Sequence, residues 1–446
     1  GETDNWMWPR HTGDFSIFRI YAGNDNMPAD YSEDNVPYRP KKSLKISLAG
    51  VKEGDFTFVY GCPGSTREYV HSSEVDYVAN VSDPEKIALR TTRLDIMNKY
   101  MSQSQAVRIQ YSSKFAGVAN AWKKWQGEEK GIKKMKTVAA KQEFEKGYKE
   151  WAAGTDYDVT DTLAALYARR NSLYRAMEYY NETVRSIEKL QMASGRPVDM
   201  KDYYRPIDEE TFVAMMTAFD EALEDCYKPE YFLKSRDRFA DMEAWKDAVF
   251  ADTLEAMALA GALNEFYSKN LVPRENDYNR RINLANRTYM KGQMEYRNDK
   301  VFYPDANLTL RVAYGHVEGY SPADGVSYNP VSTLKGIIEK DNPDIFDYDI
   351  PQTLRDIYAE GGHEGQPVCF LATNHTTGGN SGSPVLNADG NLIGINFDRV
   401  WEGTMSDYVF DPDFCRNISL DVRYILFILK EIGHADYLLE EMAFVK

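Results

Sequence analysis

Seven consecutive residues, Gly378-Gly379-Asn380-Ser381-Gly382-Ser383-Pro384, carry the strongest chemical signal in the 446-residue chain. A nucleophilic serine needs a sharply turned backbone. The turn exposes the hydroxyl and aims nearby amide N–H groups at the oxyanion that develops when a carbonyl is attacked. Glycines on both sides of Ser381, Gly379 and Gly382, meet that need. A glycine-rich hairpin loop without chemistry is the competing reading, disfavoured by the length and context of the motif. Ser383 is the weaker nucleophile, because beside Pro384 at the entry to a strand a hydroxyl more often caps a turn.

Other residues could complete such a site. Asp14 directly precedes the apolar run Phe15–Ile20, although any Thr-Gly-Asp turn before a strand would look the same. Asp398 and Arg399 lie just past the apolar run Leu392–Phe397, with Arg399 eighteen positions after Ser381. Six histidines are present, at 11, 71, 316, 363, 375 and 434. His375, six residues before Ser381, reads as structural, since a residue on the approach to the serine is poorly placed to face it with Asp14 behind. The four cysteines, Cys62, Cys226, Cys369 and Cys415, show no metal spacing and read as buried or partly buried free thiols. No metal or organic cofactor is expected.

The elements that must position these residues change character along the chain. Phe15–Ile20 and Phe56–Tyr60 read as strands, the second ending at a Gly61-Cys62-Pro63-Gly64 turn. At Ser82-Asp83-Pro84-Glu85 a helix start is predicted, with a cap residue and a first-turn proline. Asp161–Leu190 and Phe212–Cys226 then run without internal Pro or Gly. Strand patterning returns at Val301–Tyr303 and Leu308–Tyr314. Pro367–Leu371 leads to the serine, and Val385–Ile395 reads as a hairpin turning at Asp389-Gly390. Asp421–Phe444 looks like a closing helix. The expected organisation is β over 1–81, helical over 82–295 and β again over 296–446.

Composition excludes some classes. Net charge is −16 with 53 basic against 69 acidic residues, which argues against a nucleic-acid partner. Hydrophobic residues make up 43% and charged residues 27%, both globular values, and no apolar run approaches the roughly 18 residues a membrane helix needs. The first residues show no basic-then-apolar leader.

The serine motif, with its following strand, Gly turn and second apolar strand, resembles the chymotrypsin-like superfamily. Together with Asp4-Asn5-Trp6-Met7-Trp8-Pro9-Arg10-His11-Thr12-Gly13-Asp14-Phe15, and with Tyr303–Asn307, Thr309–Val312 and Gly319–Pro322, it resembles family 46 of the serine peptidases, the bacterial dipeptidyl-peptidases. The resemblance implies a mixed α and β fold: a chymotrypsin-like double β-barrel, its first barrel only partly present, with a large helical domain inserted between the β units. It makes Ser381 the nucleophile and Asp14 the triad aspartate, with the amides of Gly379 and Ser381 as the oxyanion donors. Asn5, Trp6, Asn120 and Asp398 would hold the α-amino group of a peptide with a free N-terminus. Such a clamp at a fixed distance from the serine measures off a dipeptide. Arg399 stands where the superfamily lines its primary specificity pocket, and a guanidinium there favours Asp or Glu as the penultimate substrate residue, as in the Asp/Glu-specific branch. In the competing reading Arg399 only pairs Asp398. For Asp398 the alternative is a surface carboxylate, and for Asn120 an exposed helical position. A homodimer in the periplasm or at the cell surface of a Gram-negative bacterium is also implied.

The chain departs from the family pattern at the triad histidine, which none of its six histidines matches. The expectation is that this histidine lies before the Asn-Trp-Met-Trp-Pro-Arg-His motif, outside this chain, and that the chain alone is nearly inactive. Two other readings compete. One is an endopeptidase of the HtrA or glutamyl-endopeptidase type. The other is a non-catalytic peptide-binding protein that keeps the fold.

Overall fold

Along Phe56–Gly61 (β1) Thr57 and Val59 are fully buried while Phe56 and Tyr60 face outward. This is the alternation a strand with one face on a core must have. In the computed structural model, which describes residues 2–446, β1 joins Arg311–His316 (β2), Pro367–Ala372 (β3), Ser383–Asn387 (β4), Leu392–Arg399 (β5) and Asn417–Asp421 (β6). The strands follow the order β2-β1-β4-β5-β6-β3, each antiparallel to its neighbour. A bridge between Val317 and Ala372, with the Thr373 N–H donating to His316 O at 2.9 Å, brings the end of β2 onto the end of β3. The six strands thereby close on themselves around Val59, Val317, Phe370, Val385 and Ile393. Every residue of β3 and β6 is buried, because a second apolar cluster packs on them. It includes Trp8, Leu334, Val368, Ile418, Leu420 and Tyr424.

The structure separates two units: residues up to Glu68 together with Asp305–Lys446, and Tyr69–Pro304. Four local expectations change. First, β1, expected in a separate first β unit over 1–81, pairs with β2 and with the strand that follows the serine. Second, Phe15–Ile20 and Val301–Tyr303 form no strand. Phe18 is 90% exposed and Ile20 68%, so no core rewards pairing there. Third, helical structure starts before residue 82, with Ser72–Tyr77 (α1) capped by His71, whose Nδ1 accepts the Ser73 N–H at 3.2 Å. Ser82 and Asp83 lie inside a continuous run, at the passage from a π turn into Asp83–Met101 (α2). Fourth, the closing helix is broken. Val422–Phe427 and the π turn Ile428–Ile432 stop at Gly433-His434, where His434 takes φ +46°, and the chain ends on strand Phe444–Val445.

In the helical unit, Gln105–Lys134 (α3) starts at Ser104, whose hydroxyl accepts the Val107 N–H. It finishes with Lys133 and Lys134 at the negative end of its dipole. Further helices run to Val272–Tyr296. They bury Phe212, Phe219, Phe232, Trp245, Leu259 and Leu263 in one core. Among the described residues no helix is long and apolar enough to cross a membrane.

Candidate active site

Ser381 sits on the loop between β3 and β4. Gly379 takes φ +105° and Gly382 φ +82°, regions in which a side chain is strained. A Cβ on Gly379 would stand 2.6 Å from Cys62 O and 2.8 Å from Gly64 N, both backbone atoms that cannot yield, so glycine is required on steric grounds as well. The loop is fixed by its own polar groups. Gly64 N–H donates to Gly378 O at 2.6 Å, Asn380 N–H to Thr377 O at 3.0 Å, Ser383 N–H to Asn380 O at 3.0 Å and Gly382 N–H to Asn396 O at 2.8 Å. Thr377 N–H donates to Asn380 Oδ1 at 3.1 Å. None of these bonds uses the amides of Gly379 or Ser381. The Ser381 side chain is exposed, and its hydroxyl donates to Phe397 O at 3.1 Å. Ser383 is buried with its Oγ against Gly61, a packing position rather than a nucleophile's.

Strand β5 supplies the neighbours of that loop in successive residues. Asn396 Nδ2 donates to Asn380 O at 3.2 Å, and Asn396 Oδ1 accepts from Asn417 Nδ2 at 2.9 Å. The register with β6 shifts between Asn396 and Asp398, and a bulge of this kind re-aims the residues around it. Phe397 O meets the serine. Asp398 Oδ2 accepts the Trp6 N–H and Arg10 Nη1, both at 3.0 Å, and Asp398 Oδ1 accepts the Arg399 N–H at 2.8 Å. The Asp398 side chain is 7% exposed, so it is not a surface carboxylate. Burial pushes its carboxyl above the ordinary value, against the pull of Arg10 and the two amides. Trp6 holds φ +68°, a strained conformation for a bulky residue. Its ring lies 5.6 Å from the Arg399 guanidinium carbon.

Arg399 is buried, and its partner is not the one weighed from sequence. Its Nη1 and Nη2 reach Asp407 Oδ1 and Oδ2 at 2.8 and 3.0 Å, and Nη1 also reaches Ser406 Oγ at 2.7 Å. Its backbone amide donates to Asp398 Oδ1. Asn5, beside Trp6, donates its amide N–H to Glu2 O at 3.2 Å. Asp14 is exposed and is not hydrogen-bonded to Ser381. Its chain is anchored nearby, where Cys369 Sγ–H donates to Thr12 O at 3.5 Å. Asn120 is exposed on α3 in the helical unit.

Among the described residues no histidine is hydrogen-bonded to Ser381. His375 Nε2 lies 3.2 Å from Ser406 O and its Nδ1 3.7 Å from Glu68; burial, then Arg399, holds it below its ordinary value. His11 packs on Gly336, and burial followed by Lys340 pushes it down to about 4. Both are structural. Cys369 and Cys415 are buried free thiols as expected, whereas Cys62 and Cys226 are exposed. Among the described residues no cluster of His, Cys, Asp or Glu could hold a metal. Sequence reasoning missed Arg10, Asn396, Asn417, Thr377 and Asp407. The partner of Arg399 comes from a 3₁₀ turn, Trp401–Asp407, that no periodicity announces.

Known proteins resemble the chain in sequence and in fold. Residues 1–210 and 196–444 match the sequence profile of Peptidase S46. The chain is 41% identical over 503 residues to the Asp/Glu-specific dipeptidyl-peptidase of Flavobacterium psychrophilum, covering 100% of this chain and 70% of that protein. It is 34% identical over 514 residues to dipeptidyl-peptidase 7 of Phocaeicola vulgatus, again covering 100% and 70%. The crystal structure of Porphyromonas endodontalis DPP11 in complex with the dipeptide Arg-Glu superposes with a TM-score of 0.88 at 30% identity, over 99% of this chain and 72% of that one. The chain therefore belongs to peptidase family S46.

Proposed function

We propose that this chain is a serine-type dipeptidyl-peptidase, releasing dipeptides from the free N-terminus of oligopeptides with Asp or Glu as the penultimate residue. The observation that carries it is the run on β5. One strand presents its backbone to the Ser381 hydroxyl, a buried carboxylate to the Trp6 segment and a buried guanidinium beside both. In this reading Ser381 attacks the carbonyl of the second residue, and the amides of Gly379 and Ser381 receive the oxyanion. Asn5, Trp6, Asn120 and Asp398 hold the α-ammonium, Arg399 takes the acidic side chain and Asp14 orients the general base. That base is not supplied by any hydrogen bond Ser381 makes here.

The relatives named Asp/Glu-specific dipeptidyl-peptidase support the acidic preference, and the dipeptides Arg-Glu and Arg-Asp bound by DPP11 fit it. The family match leaves the endopeptidase and non-catalytic readings without support. The proposal extends to a chymotrypsin-like arrangement in which the closed six-stranded sheet is one of two barrels. It also includes a homodimer and a periplasmic or surface location in a Gram-negative bacterium, as the family resemblance of the sequence implies.

The test is steady-state hydrolysis by the intact enzyme of Leu-Asp and Leu-Leu dipeptidyl fluorogenic substrates, free and N-acetylated, with Arg399→Gly alongside. Free Leu-Asp substrate should be preferred, acetylation should abolish cleavage, and Arg399→Gly should erase the preference. Equal cleavage of both free substrates by the unaltered enzyme would remove the acidic specificity.

A further inference from the structure

The acid-selecting guanidinium does not stand alone. Arg399 is 4% exposed, and an Arg side chain with four rotatable bonds defines a pocket only if something fixes it. Asp407 grips both terminal nitrogens in the fork-on-fork geometry, at 2.8 and 3.0 Å. Ser406 Oγ accepts from Nη1 at 2.7 Å, and Thr376 O lies 3.4 Å from it. Asp407 is itself held: the Thr377 hydroxyl donates to its Oδ1 at 2.7 Å, and its backbone oxygen accepts the Arg67 N–H at 2.6 Å. Thr377 N–H donates to Asn380 Oδ1, and Asn380 immediately precedes the nucleophile. The chain of contacts Arg399–Asp407–Thr377–Asn380 thus ties the guanidinium to the loop that carries Ser381.

We infer that Asp407 is the positioning residue for substrate specificity, orienting Arg399 so that an acidic penultimate side chain is received at a fixed place relative to Ser381. The inference rests on the proposed acid-selecting role of Arg399. The opposing effect, that Asp407 neutralises Arg399 and so weakens its pull on an acidic side chain, is outweighed. A guanidinium released from a bidentate partner in a buried site loses its orientation, and bidentate recognition depends on orientation.

The experiment measures kcat and KM of the intact enzyme on Leu-Asp and Leu-Leu dipeptidyl substrates for Asp407→Asn, Asp407→Ala, Asp407→Glu and Arg399→Gly. Asp407→Asn keeps the shape of the buried side chain, so it reports even where Asp407→Ala fails to fold. In Asp407→Asn the ratio of kcat/KM for Leu-Asp over Leu-Leu should fall about tenfold, the scale of one charge-assisted contact, chiefly through a raised KM for Leu-Asp. Asp407→Glu, which restores the carboxylate, should recover part of the ratio. A merely structural residue would lower kcat/KM for both substrates together and leave the ratio alone. A ratio that is unchanged or higher in Asp407→Asn, while Arg399→Gly loses acid preference, overturns this inference only. Acid preference that survives Arg399→Gly overturns the reading beneath it.

Discussion

At the scale of single residues, Gly379 shows how sterics and chemistry coincide. Its φ of +105° and the 2.6 Å approach that a Cβ would make to Cys62 O leave no room for any side chain. The same bend sets the direction of its amide. In Gly379→Ala the loop must shift, and the proposed oxyanion donor moves with it. Loss of one such donor costs roughly 10²- to 10³-fold in kcat, and the expected result is a fall of that size in kcat on the Leu-Asp substrate with a much smaller change in KM. Retention of wild-type kcat in a folded Gly379→Ala would show that this amide takes no part in the chemistry. This residue was legible in the sequence because the bend that exposes a serine can be made by very few residue types. Asp407 was not, since nothing about an aspartate eight positions after an arginine says that a 3₁₀ turn will fold it back.

At the scale of elements, one strand does most of the positioning. From Asn396 to Arg399, β5 touches the serine loop, the serine hydroxyl, the Trp6 segment and Asp407 in turn. The hairpin it forms with β4 was readable from alternating apolar residues around Asp389-Gly390, and Gly390 indeed takes φ +75°. The irregularity between Asn396 and Asp398 was not readable, because a bulge leaves no mark on hydrophobic pattern. Nor was the pairing of β1 with β4, a contact across more than three hundred residues. Asn396 is 2% exposed and Asn417 wholly buried, so the amide ladder from β6 through β5 to Asn380 O exists in a site where unmet polar groups are costly. Asn396→Ala should destabilise the protein by about 1–3 kcal/mol through the orphaned partners. Because the lost bond also shapes the Ser381 loop, it should lower kcat as well. Denaturant unfolding together with kinetics checks both. Lower stability with unaltered kcat would mean that the ladder supports the sheet and not the loop.

At the scale of the whole molecule, the helical insertion between β segments was legible because long stretches without Pro or Gly contrast with the alternating strands on either side. Its edges, at Tyr69 and Pro304, were not, since the first short helix is made by a histidine cap and a π turn rather than by the usual cap residues. The two units differ in the balance of their buried titratable groups: in the unit holding the strands, the depressed imidazoles of His11 and His375 stand against the raised carboxyl of Asp398. In the unit holding the strands His11 is pushed down to about 4 by burial and then by Lys340. Asp4 is kept below its ordinary value by Lys340, Tyr348 and Arg10, against an opposing burial effect. Groups whose folded pKa is depressed contribute stability above their unfolded pKa and lose it as pH falls, which for His11 means between about 6.5 and 4. In the helical unit burial pushes Asp208 up to about 7, and burial with Glu128 pushes Asp83 up against Lys86 and Lys124. A raised carboxyl acts the other way: the folded state binds more protons, so its contribution is full below about 4 and is lost as pH rises toward 7. His71, pushed down to about 4 by burial and then by Lys141, offsets part of that gain, but one imidazole stands against two carboxyls. Calorimetry between pH 7 and 5 should therefore show the transition of the strand-bearing unit moving down while the helical one holds or rises. Asp83→Asn should flatten only the helical response. Two transitions that fall together by equal amounts, or an Asp83→Asn protein with an unchanged profile, would show that these buried groups do not set the acid response.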